Sequence, residues 1–348
     1  MSAGGFECPV ALPGDDAIVL GHGSGGKLGA RLVEETILPA LSNPALEALD
    51  DQAIVAIGAE RIAFTTDSFV VTPIFFPGGD IGELAVNGTV NDLAVGGARP
   101  LYLSLAFILE EGLPMAELRR VLESVRRAAA RAGVKVVTGD TKVVGRGSGD
   151  RVFVNTAGVG LVPAGVALSS RRVRAGDAVL LSGTVGDHGV AILSTREGLT
   201  FEGELASDTA PLHELAAAVI EAAPDVHAMR DPTRGGLAAT LVEIASRRRV
   251  GIDVDESAVP VRDGVRGVCE LLGLDPLLVA NEGKLVAFVP SAQSDAALAA
   301  MRAHPLGRDA AIIGQVTTEH AGRVILQTPV GGRRVLDLPW SEPLPRIC

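Results

Sequence analysis

Residues 81–98 read IGELAVNGTVNDLAVGGA, a stretch whose composition and spacing predict a helix. Apolar residues occur on nearly every side of the helix that it predicts, so the helix belongs in a core and not on a surface. Asn91 and Asp92 interrupt the apolar pattern. An ionised carboxylate inside a buried helix is costly unless it is paired or bound to a metal ion. We therefore expect a core helix that carries a functional group.

Runs of strand length flank this helix, and one amphipathic helix lies among them. In the helix predicted at 114–132, apolar residues such as Val121 and Val125 repeat at helical spacing, and Gly133 ends it. The predicted strands are rich in β-branched residues and lie at 52–57, 61–66, 101–109, 134–138 and 151–162. Strands that alternate with helices predict an α/β fold.

The second half of the chain repeats this mixture after a break near 163–175. Strands are predicted at 178–182, 284–289, 310–316 and 323–327, and helices at 209–223, 235–248 and 294–304. A length of 348 residues suits two domains. We expect an N-terminal domain at 15–165, a C-terminal domain at 170–338 and a tail at 339–348. Three prolines forbid regular structure in the tail, which is predicted to be extended and mobile.

Composition excludes several classes of function. The chain carries 31 Lys and Arg against 42 Asp and Glu, a net charge of −11, and only 3% aromatic residues. A nucleic-acid binder needs the opposite charge and aromatic stacking platforms, so nucleic acid is excluded as a partner. Mean hydropathy is +0.33, yet no stretch approaches the ~20 apolar residues of a membrane span. The N-terminus lacks a signal-peptide pattern and three cysteines cannot form a disulfide scaffold, which predicts a cytoplasmic protein.

Four aspartates stand at or near the ends of apolar segments. Asp51 precedes the first predicted strand, Asp67 and Asp140 close later strands, and Asp92 lies within the core helix. Any one of them could simply cap a turn. Several carboxylates at strand ends suit a hard cation such as Mg²⁺, which binds carboxylate oxygens together with substrate phosphates. Taken together, Asp67, Asp92 and Asp140 favour a magnesium site in which these carboxylates meet.

Two glycine-rich turns precede predicted helices. The first, GHGSGGK at 21–27, offers backbone N–H groups and a helix dipole to an anion through Gly23, Ser24, Gly25 and Gly26. Its spacing differs from that of a Walker A loop and of a Rossmann fingerprint. A flexible loop with Ser24 as the helix cap is the alternative. The second turn, MRDPTRGG at 229–236, places Asp231 beside another possible anion site.

Three further residues have chemistry suited to a catalytic site. Lys142 follows Asp140 by two residues and could neutralise charge at a metal–phosphate site, although a lysine at a strand end is usually solvated. Glu282, in the turn NEGK at 281–284, is either a general base or a turn residue. Cys348 is the last residue of the chain. A thiol on a proline-stiffened arm could be loaded at one place and processed at another; the alternative is an accidental terminal thiol.

Several strings together resemble the PurM-like ATP-binding superfamily, which includes aminoimidazole ribonucleotide synthetase, selenophosphate synthetase and thiamine-monophosphate kinase. These strings are DDQAIV at 50–55, TTDSFV at 65–70, VNDLAVGGA at 90–98 and GDTK at 139–142. Within that group the chain is similar to the HypE family of hydrogenase maturation proteins, from about residue 20 to its end. The strings that carry this second resemblance are HGSGG at 22–26, FFPGG at 75–79, ILEEGLP at 108–114, VTGDTKVV at 137–144, RGVCELLGL at 266–274, NEGKLV at 281–286 and PRIC at 345–348.

The resemblance implies a PurM-like fold of two α/β domains, in which the N-terminal domain forms a β-barrel across a homodimer and ATP lies near that interface. It implies that the carbamoyltransferase HypF loads a carbamoyl group onto Cys348. This chain would then dehydrate the thiocarboxamide to a thiocyanate with ATP. The cyano group would pass to iron held by HypC and HypD, and become a ligand of a [NiFe]-hydrogenase.

The resemblance also distributes roles among the residues. Cys348 would carry the group, Glu282 would remove the amide protons, and Lys142 would stabilise charge on the carbonyl oxygen or the phosphate. Residues of two further kinds would bind the nucleotide and its metal ion. Mg²⁺ would be held by Asp51, Asp67, Asp92 and Asp140, and ATP by Gly23, Ser24, Gly25, Gly26, Asn91, Thr141 and Asp231.

Two other functions stay open at the level of sequence. A kinase or synthetase of the same superfamily that acts on a small metabolite would share every nucleotide-binding feature, but it would leave Cys348 without a role. A non-catalytic scaffold that binds ATP and partner proteins would tolerate Glu282→Gln, whereas the enzyme would not.

Overall fold

The computed structural model describes residues 17–340 and 346–348, apart from Ser24 and residues 200–204. Within that part of the chain, no helix is both long enough and apolar enough to span a bilayer. Strands and helices alternate along both halves of the chain, so the predicted α/β class is confirmed.

The N-terminal half is built on a five-stranded sheet. The strands of this half are β1 (Ala53–Ile57), β2 (Glu60–Phe69), β3 (Phe75–Phe76), β4 (Gly79–Asp80), β5 (Arg99–Glu110), β6 (Lys135–Val144) and β7 (Val152–Leu161), and its helices are α1 (Lys27–Arg31), α2 (Leu38–Leu41), α3 (Ile81–Val95) and α4 (Met115–Arg131). A π-helical segment, Leu32–Ile37, joins α1 to α2. The sheet has the order β1-β2-β7-β5-β6 and is antiparallel except for the parallel pair β5–β6. Strands β3 and β4 form a separate hairpin.

Helix α3 packs against this sheet and against α4. The Asp80 carboxylate caps α3, because it accepts hydrogen bonds from the N–H groups of Gly82 at 2.8 Å and Glu83 at 3.2 Å. Nearly the whole of α3 is buried, as its apolar pattern predicts. Gly82 permits the close approach of α4, since a Cβ at this position would lie 2.5 Å from the carbonyl oxygen of Val121.

The opposite face of the five-stranded sheet is open. Phe64, Tyr102 and Ile108 lie on it with 48%, 47% and 43% of their surface exposed. Strand β6, at the edge of the sheet, is exposed along nearly its whole length. No sheet formed by the described residues closes on itself, so the barrel across a homodimer stays a prediction.

The C-terminal half forms a second sheet flanked by helices. Its strands are β8 (Asp177–Leu181), β9 (Ala228–Arg230), β10 (Gly251–Asp255), β11 (Val286–Pro290), β12 (Ala311–Thr317), β13 (Val324–Gln327) and β14 (Arg333–Leu336), and its helices are α5 (Asp187–Arg196), α6 (His213–Ala222), α7 (Gly236–Arg248), α8 (Asp263–Leu272) and α9 (Ser291–Ala303). The sheet has the order β14-β13-β10-β12-β8-β11-β9, with β10 and β13 parallel. The neighbouring strands β8 and β11, which each have a strand on both sides, are almost entirely buried.

The structure corrects several boundaries expected from the sequence. The strand expected at 134–138 extends through Val144, and the strand expected at 61–66 extends to Phe69. Asp140 and Asp67 therefore lie within strands and do not close them. The polar residues after Gly139 suggest a turn, but pairing with β5 keeps them in the sheet. The sequence also does not predict α5, α8, β9, β10 or β14, because glycines or short length hide their patterns.

Candidate active site

Three carboxylates from distant parts of the chain converge. Asp51 precedes β1, Asp92 lies on α3 and Asp231 follows β9, and one oxygen of each lies within 4.8 Å of the others. The hydroxyl of Thr65, on β2, lies 2.7 Å from Oδ2 of Asp92 and orients that side chain. Carboxylate oxygens are the donors that Mg²⁺ prefers in proteins. The chemistry of this donor set therefore fits a hard divalent cation.

Burial and mutual repulsion perturb these acids. Burial raises the pKa of Asp92 well above its usual range, and the charges of Asp231, Asp67 and Asp51 raise it further. Burial is also the main cause that raises the pKa of Asp231 to about 6. The Arg230 guanidinium lies 2.7 Å from the Asp51 carboxylate and holds down the pKa of both Asp51 and Asp231, without cancelling the effect of burial. A divalent cation would relieve the remaining repulsion.

Asp67 lies beside this group of three. Burial raises the pKa of Asp67, and its charge in turn raises the pKa values of Asp92 and Asp231. The backbone N–H of Ser68 donates to Oδ1 of Asp67 at 2.7 Å. Asp67 therefore contributes charge to the cluster without being one of its three converging carboxylates.

Glu282 is buried next to the same charges. Its side chain is 2% exposed, and its Oε1 has no hydrogen-bond partner among the described residues. Burial raises the pKa of Glu282 well above its usual range, and the charges of Asp231, Asp67 and Asp208 add to this shift. A carboxyl group with an unpartnered oxygen and a raised pKa can exchange protons with a bound substrate.

The loop that carries Glu282 is held by Asp208. The Asp208 carboxylate accepts hydrogen bonds from the backbone N–H groups of Glu282 at 3.0 Å and Gly283 at 3.3 Å. It also forms a buried ion pair with Lys284 at 2.8 Å. Gly283 is required here, since a Cβ would lie 1.8 Å from the carbonyl oxygen of Asp208. The NEGK turn is thus a rigid platform for Glu282.

The terminal residues of the chain dock beside β2. Ile347 forms an antiparallel bridge with Val71, and the N–H of Val70 donates to a carboxylate oxygen of Cys348 at 2.8 Å. Because the pairing is antiparallel, the chain end runs back along β2 toward Asp67. At about 3.3 Å per residue, Val70 lies roughly 10 Å from Asp67 along the strand. Residues 341–345 of the tail lie outside the described part of the chain.

The two glycine turns pack against each other. A Cβ on Gly25 would lie 2.9 Å from the carbonyl carbon of Arg234, and Gly25 has a φ of +77°, so glycine is needed on both counts. Arg234 Nη1 donates to the carbonyl oxygen of Gly23 at 2.6 Å. Ser24, predicted with this loop, lies outside the described residues. The two candidate anion sites are therefore one composite surface.

The start of α1 is occupied by the C-terminal segment. The N–H groups of Lys27 and Leu28 donate to the carbonyl oxygens of Pro339 at 3.1 Å and Trp340 at 3.2 Å. A Cβ on Gly26 would lie 2.7 Å from that Pro339 oxygen. These two N–H groups at the start of α1 are therefore occupied in this arrangement, and the assignment of the preceding glycine turn to a phosphate stays a prediction.

Asn91 has a role that the sequence does not predict. Its amide nitrogen donates to the carbonyl oxygens of Ala210 at 3.1 Å and Glu282 at 3.2 Å. Its amide oxygen accepts the N–H of Leu212 at 2.8 Å. The side chain therefore joins α3 to the loops around Glu282.

Within one chain, the structure does not bring Asp140, Thr141 and Lys142 to the other predicted site residues. They lie on β6, and Asp140 pairs with Lys142 at 2.7 Å while both side chains stay more than half exposed. Asp231, assigned to ATP from its place in a glycine turn, stands with Asp51 and Asp92 instead. The sequence marks Asp231 only by its place in the turn at 229–236, because β9, the three-residue strand before it, shows no pattern of its own.

Sequence reasoning missed a second polar group, formed by His188, Ser207 and Asp208. Oγ of Ser207 lies 2.8 Å from Nδ1 of His188. The sequence DH at 187–188 stands in a glycine-rich stretch and is a weak motif. No periodic pattern marks residues 207 and 208, so only the packing of loops reveals them.

The chain is similar in sequence and in fold to known proteins. Residues 49–162 match the family described as AIR synthase related protein, N-terminal domain, and residues 174–327 match its C-terminal domain. The chain is 54% identical over 345 residues to the carbamoyl dehydratase HypE of Cupriavidus necator, covering 99% of this chain and 98% of that protein. A solved HypE–HypF complex is similar with a TM-score of 0.84 and 45% identity, covering 88% of this chain and 99% of that one. A HypE structure in complex with ATP gives a TM-score of 0.81 and 50% identity, covering 95% and 100%.

Proposed function

This chain belongs to the AIR synthase related family and, within it, to the HypE carbamoyl dehydratases, and from that premise we propose that it uses ATP to dehydrate an S-carbamoyl group on its own Cys348 to a thiocyanate. The thiocyanate would supply the cyanide ligand of iron in a [NiFe]-hydrogenase. One observation carries the proposal: the chain end docks along the continuation of β2 and runs toward Asp67 and the carboxylate cluster.

The docked end of the chain also weighs against a kinase for a diffusible metabolite. Such a kinase would use the carboxylates and the glycine turns equally well. It would have no use for a buried anchor beside Cys348, yet Ile347 is 1% exposed and packs into an apolar cluster that includes Phe69 and Val71. A self-modifying enzyme needs this anchor, because its substrate is the next residue.

The proposed reaction converts an amide into a nitrile. ATP supplies the phosphoryl group that makes the carbonyl oxygen a leaving group. The carbon–oxygen bond breaks, the nitrogen loses both its protons, and the oxygen departs with the phosphate. Thiocarboxamide and ATP thus give thiocyanate, ADP, phosphate and one free proton, so atoms and charge balance.

Glu282 is the group that we assign to remove the amide protons. Its Oε1 has no hydrogen bond to break before it accepts a proton. Its raised pKa makes it a stronger base than an exposed glutamate once it is ionised. The Asp208 contacts fix the backbone of this loop, so the carboxylate need not search for its position.

Asp51, Asp92 and Asp231 are the residues that would hold Mg²⁺, with Asp67 beside them. When bound, Mg²⁺ would neutralise the charge of the triphosphate. The composite surface of the two glycine turns is proposed to bind the ATP phosphates, with Gly23 and Gly25 nearest to the second turn. Three backbone hydrogen bonds occupy Asn91, which supports a positioning role for it rather than direct contact with ATP.

The partners follow from the same premise. A relative has been solved as a HypE–HypF complex, and HypF is proposed to load Cys348 here. The HypC–HypD complex is proposed to take the cyano group. A homodimer would cover the open face of the N-terminal sheet, and Asp140, Thr141 and Lys142 are proposed to complete the site of a second copy across that interface.

Intact mass spectrometry tests the proposal. The purified protein, incubated with HypF, carbamoyl phosphate and ATP, should gain a carbamoyl group and then lose one water. Cys348→Ala should abolish the adduct, while Cys8→Ala, which removes the cysteine near the other end of the chain, should keep it. An adduct that survives in Cys348→Ala, or one that never loses water when ATP is present, contradicts the proposal.

A further inference from the structure

Side chains hold the terminal tripeptide in addition to its backbone bridge to Val71. His188 Nε2 lies 2.5 Å from the carbonyl oxygen of Ile347. Arg196 Nη2 donates to the carbonyl oxygen of Arg346 at 2.8 Å. The guanidinium of Arg346 itself pairs with Asp150 at 2.9 Å. Of these contacts, the one made by His188 lies nearest to the reactive cysteine.

The contacts of the His188 ring determine which nitrogen carries the proton. A carbonyl oxygen can only accept a hydrogen bond, so Nε2 must be the protonated nitrogen facing Ile347. In the neutral ring, Nδ1 then accepts from the hydroxyl of Ser207, 2.8 Å away. The ring of Phe76 packs edge-on against the imidazole with centroids 5.6 Å apart. The ring is fully buried, so its donor is held in one direction.

A continuous set of contacts links this ring to Glu282. Ser207 precedes Asp208, and the Asp208 carboxylate accepts the backbone N–H of Glu282. The group that holds the chain end and the group proposed as base are therefore positioned by the same two-residue loop. Movement of this loop would shift both together.

We infer that His188 is a positioning residue that fixes the register of the docked chain end, so that it favours dehydration of Cys348 and opposes its loading. This inference rests on the proposed function. Loading needs a chain end that HypF can reach, whereas dehydration needs the docked end. Since the hydrogen bond from His188 exists only in the docked state, removing it shifts the population toward the free state.

The two half-reactions of His188→Ala test the inference. One buried hydrogen bond shifts such an equilibrium by roughly 3- to 10-fold. Single-turnover dehydration of the carbamoylated protein should slow by about that factor, whereas carbamoyl loading by HypF should be unchanged or faster. Alkylation of the Cys348 thiol by iodoacetamide, followed in the C-terminal peptide, should be faster by a similar factor.

Three further variants separate positioning from folding. His188→Gln keeps an N–H donor near the position of Nε2, so it should restore much of the dehydration rate. Arg196→Gln removes the hydrogen bonds from Arg196 to the carbonyl oxygens of Arg346 and of Thr72, the residue whose N–H bonds the same Arg346 oxygen. It should also slow dehydration and leave loading unchanged or faster. Thr195→Ala, on the same helix α5 but exposed, should change neither.

The outcomes are distinguishable. The inference is overturned if loading and dehydration fall by the same factor. It is also overturned if the alkylation rate is unchanged in both His188→Ala and Arg196→Gln. If the wild-type protein is never carbamoylated, the proposed function fails, and the alkylation rates alone then decide whether His188 holds the chain end.

Discussion

At the scale of residues, the main feature of this protein is a group of acidic side chains buried close together in one site. Asp51, Asp92, Asp231 and Glu282 all have raised pKa values, and burial is the first cause for each. Such a site is unfavourable in the empty protein and becomes favourable when a cation and a polyphosphate share its charges. The residues that destabilise the fold are thus the ones proposed to bind and react.

Glu282→Gln should affect dehydration but not carbamoyl loading, because it replaces one carboxylate oxygen with an amide nitrogen. The amide has the shape of the carboxylate but cannot accept a proton at neutral pH. We expect carbamoyl loading to stay at the wild-type rate and dehydration to fall by 10²-fold or more, in the range of a lost general base. Intact mass should show the carbamoyl adduct persisting. Glu270→Gln, an exposed glutamate on α8, is the matched control, and undiminished thiocyanate formation in Glu282→Gln would show that the base is another group.

Asp231 predicts how stability depends on pH. Its pKa is about 6 in the folded protein, against ~3.9 in an unfolded chain. The folded state therefore binds the proton more tightly, and stability falls as the pH rises from about 4 through 6, by up to about 3 kcal/mol from this group. Without divalent cations, the midpoint of urea unfolding should be lower at pH 7 than at pH 5.

Asp231→Asn and Mg²⁺ provide the controls for this pH effect. The amide has no charge to bury, so the variant should lose much of the fall in stability between pH 5 and 7. Added Mg²⁺ should raise the midpoint of the wild type at pH 7 and have a smaller effect on Asp231→Asn. A wild type whose stability rises over this range, or a variant with the same slope, would contradict the assignment.

At the scale of elements, helix α3 and the five-stranded sheet set where the site lies. Asp92 is placed by α3, whose N-terminus is held by Asp80 and whose surface contacts α4 without intervening space. The same sheet leaves its outer face uncovered. A substitution between α3 and α4 should therefore change the stability of the fold, whereas a substitution on the outer face of the sheet should change association with a second copy.

Gly82→Ala tests the contact between α3 and α4. The new methyl would lie 2.5 Å from a backbone oxygen that cannot move alone. Overpacking of this kind should destabilise the protein by about 1–3 kcal/mol in urea unfolding. Gly267→Ala, on helix α8 with nothing within 4 Å of its Cβ, should instead stabilise by up to about 1 kcal/mol. Equal effects of the two substitutions would rule out the steric explanation.

Phe64→Asp tests whether the outer face of the sheet pairs with a second copy. A buried, unpaired carboxylate at such an interface is costly, so we expect a dimeric wild type and a monomeric variant at micromolar concentration by light scattering. Val330→Asp is the control, because Val330 is 93% exposed and far along the chain in the second sheet domain. A variant that stays dimeric would place the interface elsewhere, and a monomeric wild type would remove it.

At the scale of the whole molecule, the C-terminal segment, described at residues 337–340 and 346–348, contacts distant parts of the chain. Its beginning contacts α1, through the Lys27–Asp337 ion pair at 2.6 Å and the carbonyl groups of Pro339 and Trp340. Its end docks beside β2 and α5. The glycine turn assigned to ATP lies next to the first of these contacts. The glycine turn that is proposed to bind ATP is therefore in contact with the segment that leads to the chain end.

Trp340 reports directly on the first contact, since it is the only tryptophan. The Lys27 ammonium lies 5.8 Å from the centre of its indole ring. Lys27→Ala should shift the emission of Trp340 to longer wavelength, as the ring becomes more solvated. Lys135→Ala, on exposed strand β6, should leave the spectrum unchanged. An unshifted spectrum in Lys27→Ala would mean that Pro339 and Trp340 are held without this lysine.

Elements with a local pattern could be predicted from the sequence. Helices α3 and α4 follow from apolar spacing within each segment, and the unusual positions of Asp92 and Glu282 are visible because each interrupts or precedes an apolar run. The family resemblance adds the chemistry of Cys348. These features depend on neighbours in the chain, which a sequence displays directly.

Which side chains meet in the site depends on tertiary packing and could not be predicted from the sequence. Asp231 joins Asp51 and Asp92 from the other half of the chain, and His188 meets Ile347 across 159 positions. Asp140 lies inside an edge strand because β5 pairs with it, although its own residues favour a turn. Such contacts arise from the packing of loops and sheets, whose energy is spread over many residues, and no local pattern records it.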